Sequence, residues 1–498
     1  MKIVSLRNFS PFLKDVSITT FTTAIVIICN ILIVRIIAKG LGPDELGVYT
    51  LVRRTASTLI PFTSLSLGIG IARYIGLYAG KGQKTEPILP AAVVMISIFS
   101  LLVCAALFPF SGSLSKLIFH QEGREIFFIL TLFLLVGENL YGCLYAFYRG
   151  RQRMLEANIW NVFTVGIMPV MIAILFIYTC NLSFIVFGIG LLFYCCLFSI
   201  LPKIYYGMRK TNLEEFKAMT KKLLMYSIPR APGSVALTMI FTFGVFISPY
   251  MGGIANAAYM SIGIWLFQTL EVATNSFGLV ALPKVANLIG SGKEAYFISN
   301  LRSIYDFVLH IGLFTVIQFF LVVDFIVFAW LGVEYNASVP IARILILSMM
   351  PYFFYTMMRN IIDALEVRPI NTFNLYLSLF VTVVISLMLA KTGFGVLALA
   401  MGLDAGMLSL GILTYLFMKR RYKIRLLTRT IYPVVLINII SGVLIYLIKY
   451  VMLSNKFNVH NITLIVSLQL ICGILYLFLL NRFGATWIGD MRARMAIL

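Results

Sequence analysis

Residues 41–70 read LGPDELGVYTLVRRTASTLIPFTSLSLGIG: a Gly-Pro turn, an apolar run interrupted by Arg53 and Arg54, and an ending of small residues. Shifted by 210 residues, this stretch falls without a gap on 251–280: Gly42 meets Gly252, Tyr49 meets Tyr259, Ser66 meets Ser276 and Gly68 meets Gly278. Just beyond it, Gly80 and Gly82 meet Gly290 and Gly292. One glycine match is cheap, but a register kept through a turn, a helix and the next loop is an internal repeat. The shift carries the first two apolar spans onto the seventh and eighth, so each copy holds six spans. An even number makes the copies enter a membrane in the same direction. Parallel repeats predict a pseudo-two-fold along the membrane normal and a cleft between two six-helix lobes.

The rest of the chain agrees that lipid is the solvent. Of 498 residues, 60% are hydrophobic and 12% charged, against roughly 25% charged in soluble proteins. A membrane-crossing helix needs about 20 apolar residues, and about fourteen such spans follow one another with little sequence between them. The expected fold is therefore all-α: a polytopic membrane protein of two six-helix lobes plus two C-terminal helices. The spans of the first lobe are 16–38, 46–75, 88–110, 126–148, 159–178 and 184–206. Those of the second are 226–250, 255–282, 304–331, 341–363, 371–390 and 396–418; the last pair is 430–452 and 462–480. In domain terms this gives an N-lobe over 1–206, an amphipathic cytoplasmic linker over 207–225, a C-lobe over 226–420, and 421–498 as the last two spans and a tail. The first span is too long for a signal peptide and is expected to be retained.

Charge sets the orientation. The formal net charge is +21. Lys and Arg crowd the connections of one parity, as in Arg149-Arg151-Arg153, Lys221-Lys222 and Lys419-Arg420-Arg421, and nearly vanish from the others. That bias predicts a multi-pass plasma-membrane protein with both termini cytoplasmic. Basic loops facing an anionic inner leaflet account for the positive charge, so nucleic acid is not an expected partner. The seven cysteines lie in or beside apolar segments with no Cys-x-x-Cys pair. They read as buried thiols, and neither a metal site nor a cofactor is expected. No P-loop is present and the outer loops hold few acids, so no enzyme constellation emerges.

Ionisable groups within spans cost about 2.5–3.5 kcal/mol each on insertion scales, so each one needs a reason. Arg53 and Arg54 sit about seven residues inside the second span, roughly 10 Å deep. Arg53 shares a helical face with Ser57, Pro61, Ser64 and Gly68. Two readings fit: guanidinium forks that hold phosphate oxygens, or side chains that snorkel to headgroups. In the eighth span Gln268, Glu271, Asn275 and Gly278 form a second stripe, and under the 210-residue shift Glu271 takes the place of Pro61. Glu271 suits a proton or Na⁺ site, a partner for the arginines, or an acceptor for sugar hydroxyls. Glu138 and Asp404, each the sole acid of its helix, are further candidates for ion coupling, with interhelical hydrogen bonding as the plainer role. Asp324 and Arg343, near outer helix ends, and Arg359, near an inner one, read as headgroup or lateral pairs.

The stretch Leu41-Gly42-Pro43-Asp44-Glu45-Leu46-Gly47-Val48-Tyr49, followed by Ser66-Leu67-Gly68-Ile69-Gly70, resembles the opening of the polysaccharide-export, or oligosaccharide-lipid, flippases of the multidrug/oligosaccharidyl-lipid/polysaccharide (MOP) exporter superfamily. Gly278-Leu279-Val280-Ala281-Leu282-Pro283 resembles the end of that family's eighth helix, and Trp330-Leu331-Gly332-Val333-Glu334-Tyr335 with Arg343-Ile344-Leu345 its passage into the tenth. The resemblance covers about residues 10–420. It implies a cationic central cavity, alternating access, and a cargo of lipid-linked oligosaccharide on an isoprenoid phosphate or pyrophosphate, serving cell-surface polysaccharide biosynthesis. Arg53, Arg54, Ser57, Gln268, Glu271 and Asn275 are the positions it offers for substrate binding, with Na⁺ or H⁺ as coupling ion. Two departures limit it: Phe241-Thr242-Phe243-Gly244 replaces a mid-helix Asp of relatives, and 379–390 lacks their paired asparagines and Ile-Pro ending. The competing expectation is a cation-coupled multidrug antiporter of the same superfamily, which requires an acidic, aromatic cavity.

Overall fold

A computed structural model describes residues 11–483 except 81–82, 152, 180, 272–293, 366–369, 424–430 and 449–458. The described elements are all helical. The chain divides into two compact units, Met1–Ser261 and Ile262–Leu498.

In the first unit, α1 (Pro11–Ser64) runs for 54 residues. At 1.5 Å per residue that is more than twice a ~30 Å hydrocarbon core, so α1 holds two spans. They meet at Gly42, whose φ of 83° and ψ of −179° are not helical; Pro43, with its fixed φ and no N–H, opens the second arm. Its repeat mate Gly252 also has positive φ, 134°. The two glycines matched in the sequence thus turn the chain at equivalent places, where a side chain would be strained. The second arm then passes close to the second turn: a Cβ on Gly47 would lie 2.3 Å from the carbonyl oxygen of Ile254.

The unit continues through α2 (Leu67–Gly80), α3 (Ile88–Leu107), α4 (Ser111–Phe119) and α5 (Glu125–Gly150), then α6 (Met154–Asn161), α7 (Met168–Phe176), α8 (Leu182–Cys195) and α9 (Leu201–Lys210). After them come α10 (Leu213–Ser227) and α11 (Ala231–Ile247). The expectation of one unbroken second span is corrected here. Leu65 and Ser66 take positive φ, 45° and 58°, between α1 and α2, four and five residues after Pro61. The fifth span is likewise interrupted, by a π-helical turn over Val162–Ile167. Within the stretch 207–225, α10 opens on a capping box between Asn212 and Glu215, two orphan donors satisfied reciprocally. Lys84 donates to the Glu215 carboxylate at 3.1 Å, and this bond with the Asn212 N–H holds the carboxyl below its usual range. Within the same unit α11, the seventh span, packs on α1; the Thr58 and Thr242 hydroxyls lie 3.3 Å apart.

The second unit holds most of the helix at 255–271, here α12. It continues with α13 (Glu294–Trp330), α14 (Ser338–Leu347), α15 (Met349–Leu365), α16 (Ile370–Ala390), α17 (Val396–Tyr422), α18 (Ile431–Leu447) and α19 (Val459–Phe483). Among the described residues nine helices are long and apolar enough to cross a membrane, or ten when the bent pair Ser338–Leu347 and Met349–Arg359 counts as one. One of the nine, Phe21–Ser64, is the doubled helix; the eighth span is described only to residue 271, and the last two spans contain the shorter apolar helices Asn438–Leu447 and Ser467–Tyr476. The described residues of the predicted spans are helical apart from short turns such as those at Leu65–Ser66 and Ser348. The tenth is not straight: it bends by 54° at Ser348.

Candidate functional site

The intramembrane arginines lie in the first unit. From the second arm of α1, Arg53 Nη1 donates to Glu138 Oε1 of α5, forming an ion pair. The arginine side chain is 32% exposed and the carboxylate 13%, so the pair borders open space from its arginine side. Tyr49, one turn earlier on α1, is buried against both charges. The neighbouring Glu138-Asn139 dipeptide makes a second tie: Asn139 Nδ2 donates to Thr63 Oγ1 at 2.7 Å and to Ser100 Oγ at 3.2 Å. Two adjacent residues of α5 thus fix α1 at points ten residues apart.

Arg54 points elsewhere, as its 100° offset requires. Its Nη2 is fully buried and has no hydrogen-bond partner among the described residues. Its own carbonyl is well served, accepting from Ser57 Oγ at 2.9 Å and Thr58 Oγ1 at 2.8 Å. The carboxylate of Glu138 is taken by Arg53, and the Arg54 charge has no carboxylate partner among the described residues. A buried cation without a counter-ion is costly, so such a site favours an anion. Ser57 joins through the Arg54 backbone.

The other predicted residues belong to the second unit. Glu271 closes the described part of α12. Its carboxylate is hydrogen-bonded to the buried Tyr352 of α15 and lies within electrostatic reach of Arg359. Gln268 is half-buried one turn earlier; Asn275 and Gly278 lie outside the described residues. Asp324 and Arg343 form a lateral pair at 3.2 Å.

Asp404 has a definite neighbour. From α17 its Oδ1 accepts the Ser348 N–H at 2.9 Å, at the bend where the tenth span breaks. A break inside a span strands backbone donors that lipid cannot satisfy, and Asp404 supplies the acceptor. Asp404→Asn keeps an Oδ1 and should leave the melting temperature of the detergent-purified protein nearly unchanged. Asp404→Leu strands the N–H and should cost about 1–3 kcal/mol, read as a lower melting temperature. Loss of transport in Asp404→Asn at wild-type stability would instead assign the carboxylate to ion coupling.

No family model matches the sequence, and neither does any curated protein. Solved structures do match the fold. The lipid II flippase MurJ in its inward closed conformation superposes with a TM-score of 0.73 at 13% identity, covering 93% of this chain and 98% of that one. An inward-facing multidrug resistance MATE family transporter of the MOP superfamily gives 0.63 at 16% identity over 79% of this chain and 93% of its own. A MATE structure in complex with MaL6 gives 0.56 at 16% identity, covering 83% and 96%. The chain has the fold of MOP-superfamily exporters. Sequence reasoning singled out both arginines but missed Tyr49, Tyr352 and the partner of Arg53. One signal was available: Glu138 is the only acid in the first six predicted spans.

Proposed function

We propose that this MOP-fold transporter is a flippase. It moves a lipid-linked oligosaccharide, carried on an isoprenoid phosphate or pyrophosphate, from the inner to the outer leaflet of the plasma membrane by alternating access, for cell-surface polysaccharide biosynthesis. The observation that carries the reading is the buried Arg54 guanidinium beside the Arg53–Glu138 pair. Arg54 takes the phosphate first, and Arg53, partly exposed, swings from Glu138 to share it. A cation antiporter needs the opposite polarity, and Glu271, the acid that would serve it, is offset by Arg359. The resemblance at 41–49 and 66–70 and the 93% coverage by the flippase fold support the same reading.

Complementation tests it. In a strain lacking its glycan-lipid flippase, the gene should restore surface polysaccharide and should not raise resistance to organic cations. Resistance without surface glycan would overturn the proposal in favour of the antiporter. Orientation is checked separately by cysteine labelling in a background without native cysteines. An impermeant thiol reagent applied outside should reach Asn336→Cys and miss Lys222→Cys, both positions being exposed; the reverse pattern would invert the topology.

A further inference from the structure

Away from the arginine pair, a second cationic cluster closes the ends of two spans in the first unit. At the end of α5, the Arg151 guanidinium stands over the Phe147 ring, 4.5 Å from its centroid. From α9, Lys203 Nζ stands over the same ring at 5.5 Å and over Tyr148 at 4.3 Å, and it donates a hydrogen bond to the Tyr148 hydroxyl. Arg149 stands over Tyr145 at 5.4 Å. Phe147 and Tyr148 are buried, so the rings are fixed and hold their cations in place.

Other loop cations of the first unit have carboxylate partners: Arg153 pairs with Glu156 at 3.2 Å, Lys84 with Glu215 at 3.1 Å, and Arg124, at the opposite end of α5, with Glu45 at 2.6 Å. Arg149, Arg151 and Lys203 have none among the described residues, and the acid nearest in sequence, Glu156, is already engaged by Arg153. Around Lys203 the surface is apolar and aromatic: Phe198, Leu201, Tyr205 and Tyr206 are exposed. Exposed aromatic rings beside cations at a span's end are the chemistry of headgroup depth.

We propose that Arg151 and Lys203, with Arg149 beside them, form a binding site for the phosphate of an anionic phospholipid headgroup, its acyl chains lying on the Phe198–Tyr206 surface. By the orientation proposed above this is the inner leaflet. A flexible basic loop attracts such lipids diffusely; here two cations from separate helices are positioned over one ring, so one lipid is retained.

The test uses the purified full-length protein. Native mass spectrometry after exchange into mixed micelles of phosphatidylglycerol and phosphatidylcholine should show selective retention of phosphatidylglycerol. The preference is expected at roughly five-fold per contributing cation. Arg151→Gln/Lys203→Gln should lose that preference, while Lys203→Arg should keep most of it. Equal retention of the two lipids by the wild type would overturn the site, and this arm stands even where the double variant fails to fold. Unchanged preference in a folded double variant would overturn it equally. A third arm measures the melting temperature in phosphatidylcholine micelles with added inorganic phosphate. A rise as large as that given by phosphatidylglycerol would reassign the cluster to a free anion and overturn the lipid.

Discussion

Glycan export should fall by roughly 10- to 100-fold in Arg54→Ala, the loss expected when a hydrogen bond to a charged group is removed, while the protein reaches the membrane at normal or higher yield. The two halves of that expectation have one cause. Arg54 Nη2 has no acceptor among the described residues, so deleting it removes an uncompensated buried charge and costs the fold nothing. On the proposed function, the phosphate of the cargo binds at this guanidinium. Arg53 is different. Arg53→Ala leaves Glu138 without its partner, so yield and export should both drop. The double variant Arg53→Ala/Glu138→Ala separates the two effects. If Arg53 serves only to neutralise Glu138, the double variant restores yield and export together. If Arg53 also holds cargo, yield returns and export does not. Arg54→Lys should recover part of the activity, since it returns the charge without the planar fork. The readout is surface glycan per unit of membrane-localised protein. Wild-type export from Arg54→Ala at normal yield would remove the arginine from the mechanism.

How much of this was legible in the sequence follows from what periodicity encodes. Apolar windows about 20 residues long give spans whatever their neighbours, so the described residues of the predicted spans are largely helical. The 210-residue register matched Gly42 to Gly252, and both take positive φ: a glycine needed for backbone conformation leaves a mark that does not depend on packing. Helix period also placed Arg53 on a polar face. It could not name the helix opposite: the Arg53–Glu138 contact joins residues 85 apart, and only the scarcity of acids in the first six spans pointed to it. The breaks were illegible for another reason. Leu65–Ser66 and Ser348 carry no glycine, and the Ser348 N–H is satisfied by Asp404, 56 residues away. The repeat misleads at one point. The equivalent of Arg53 in the second copy is Gly263, where a Cβ would meet Ile341 Cγ2 at 2.9 Å and the Ala342 N at 3.3 Å. One copy keeps a charge where the other keeps close packing.

Gly402→Ala should damage the second unit's α16–α17 contact more than Gly406→Ala, and no change in α16 side chains should rescue it. A Cβ on Gly402 would sit 2.7 Å from the Ser386 N and 2.8 Å from the Thr382 carbonyl oxygen, besides 1.9 Å from Ser386 Oγ. Two of those three obstacles are backbone. Gly406, one turn on, offers a contrast: its Cβ would meet Thr382 Oγ1 at 1.9 Å and Thr382 Cβ at 3.1 Å, with the Ser378 carbonyl oxygen at 3.0 Å. The worst obstacle there is a hydroxyl. In lipid no hydrophobic force draws two helices together, so this close approach of small residues and the Ser409–Ser378 hydroxyl contact at 3.2 Å must hold the pair. Forcing it apart should cost about 1–3 kcal/mol by overpacking. It should cost more than packing alone, because α17 also carries Asp404 to the break at Ser348. The expected order of melting temperature in detergent is wild type, then Gly406→Ala, then Gly402→Ala. Adding Thr382→Ala should recover most of the loss in Gly406→Ala, since it deletes the offending hydroxyl. Adding Ser386→Ala should recover little in Gly402→Ala, since the Ser386 N and the Thr382 carbonyl remain. Substituting Ile412, on α17 but exposed, by leucine controls for general disturbance of the helix and should be silent. Full rescue of Gly402→Ala by Ser386→Ala would mean that side chains, not backbones, set the spacing of α16 and α17.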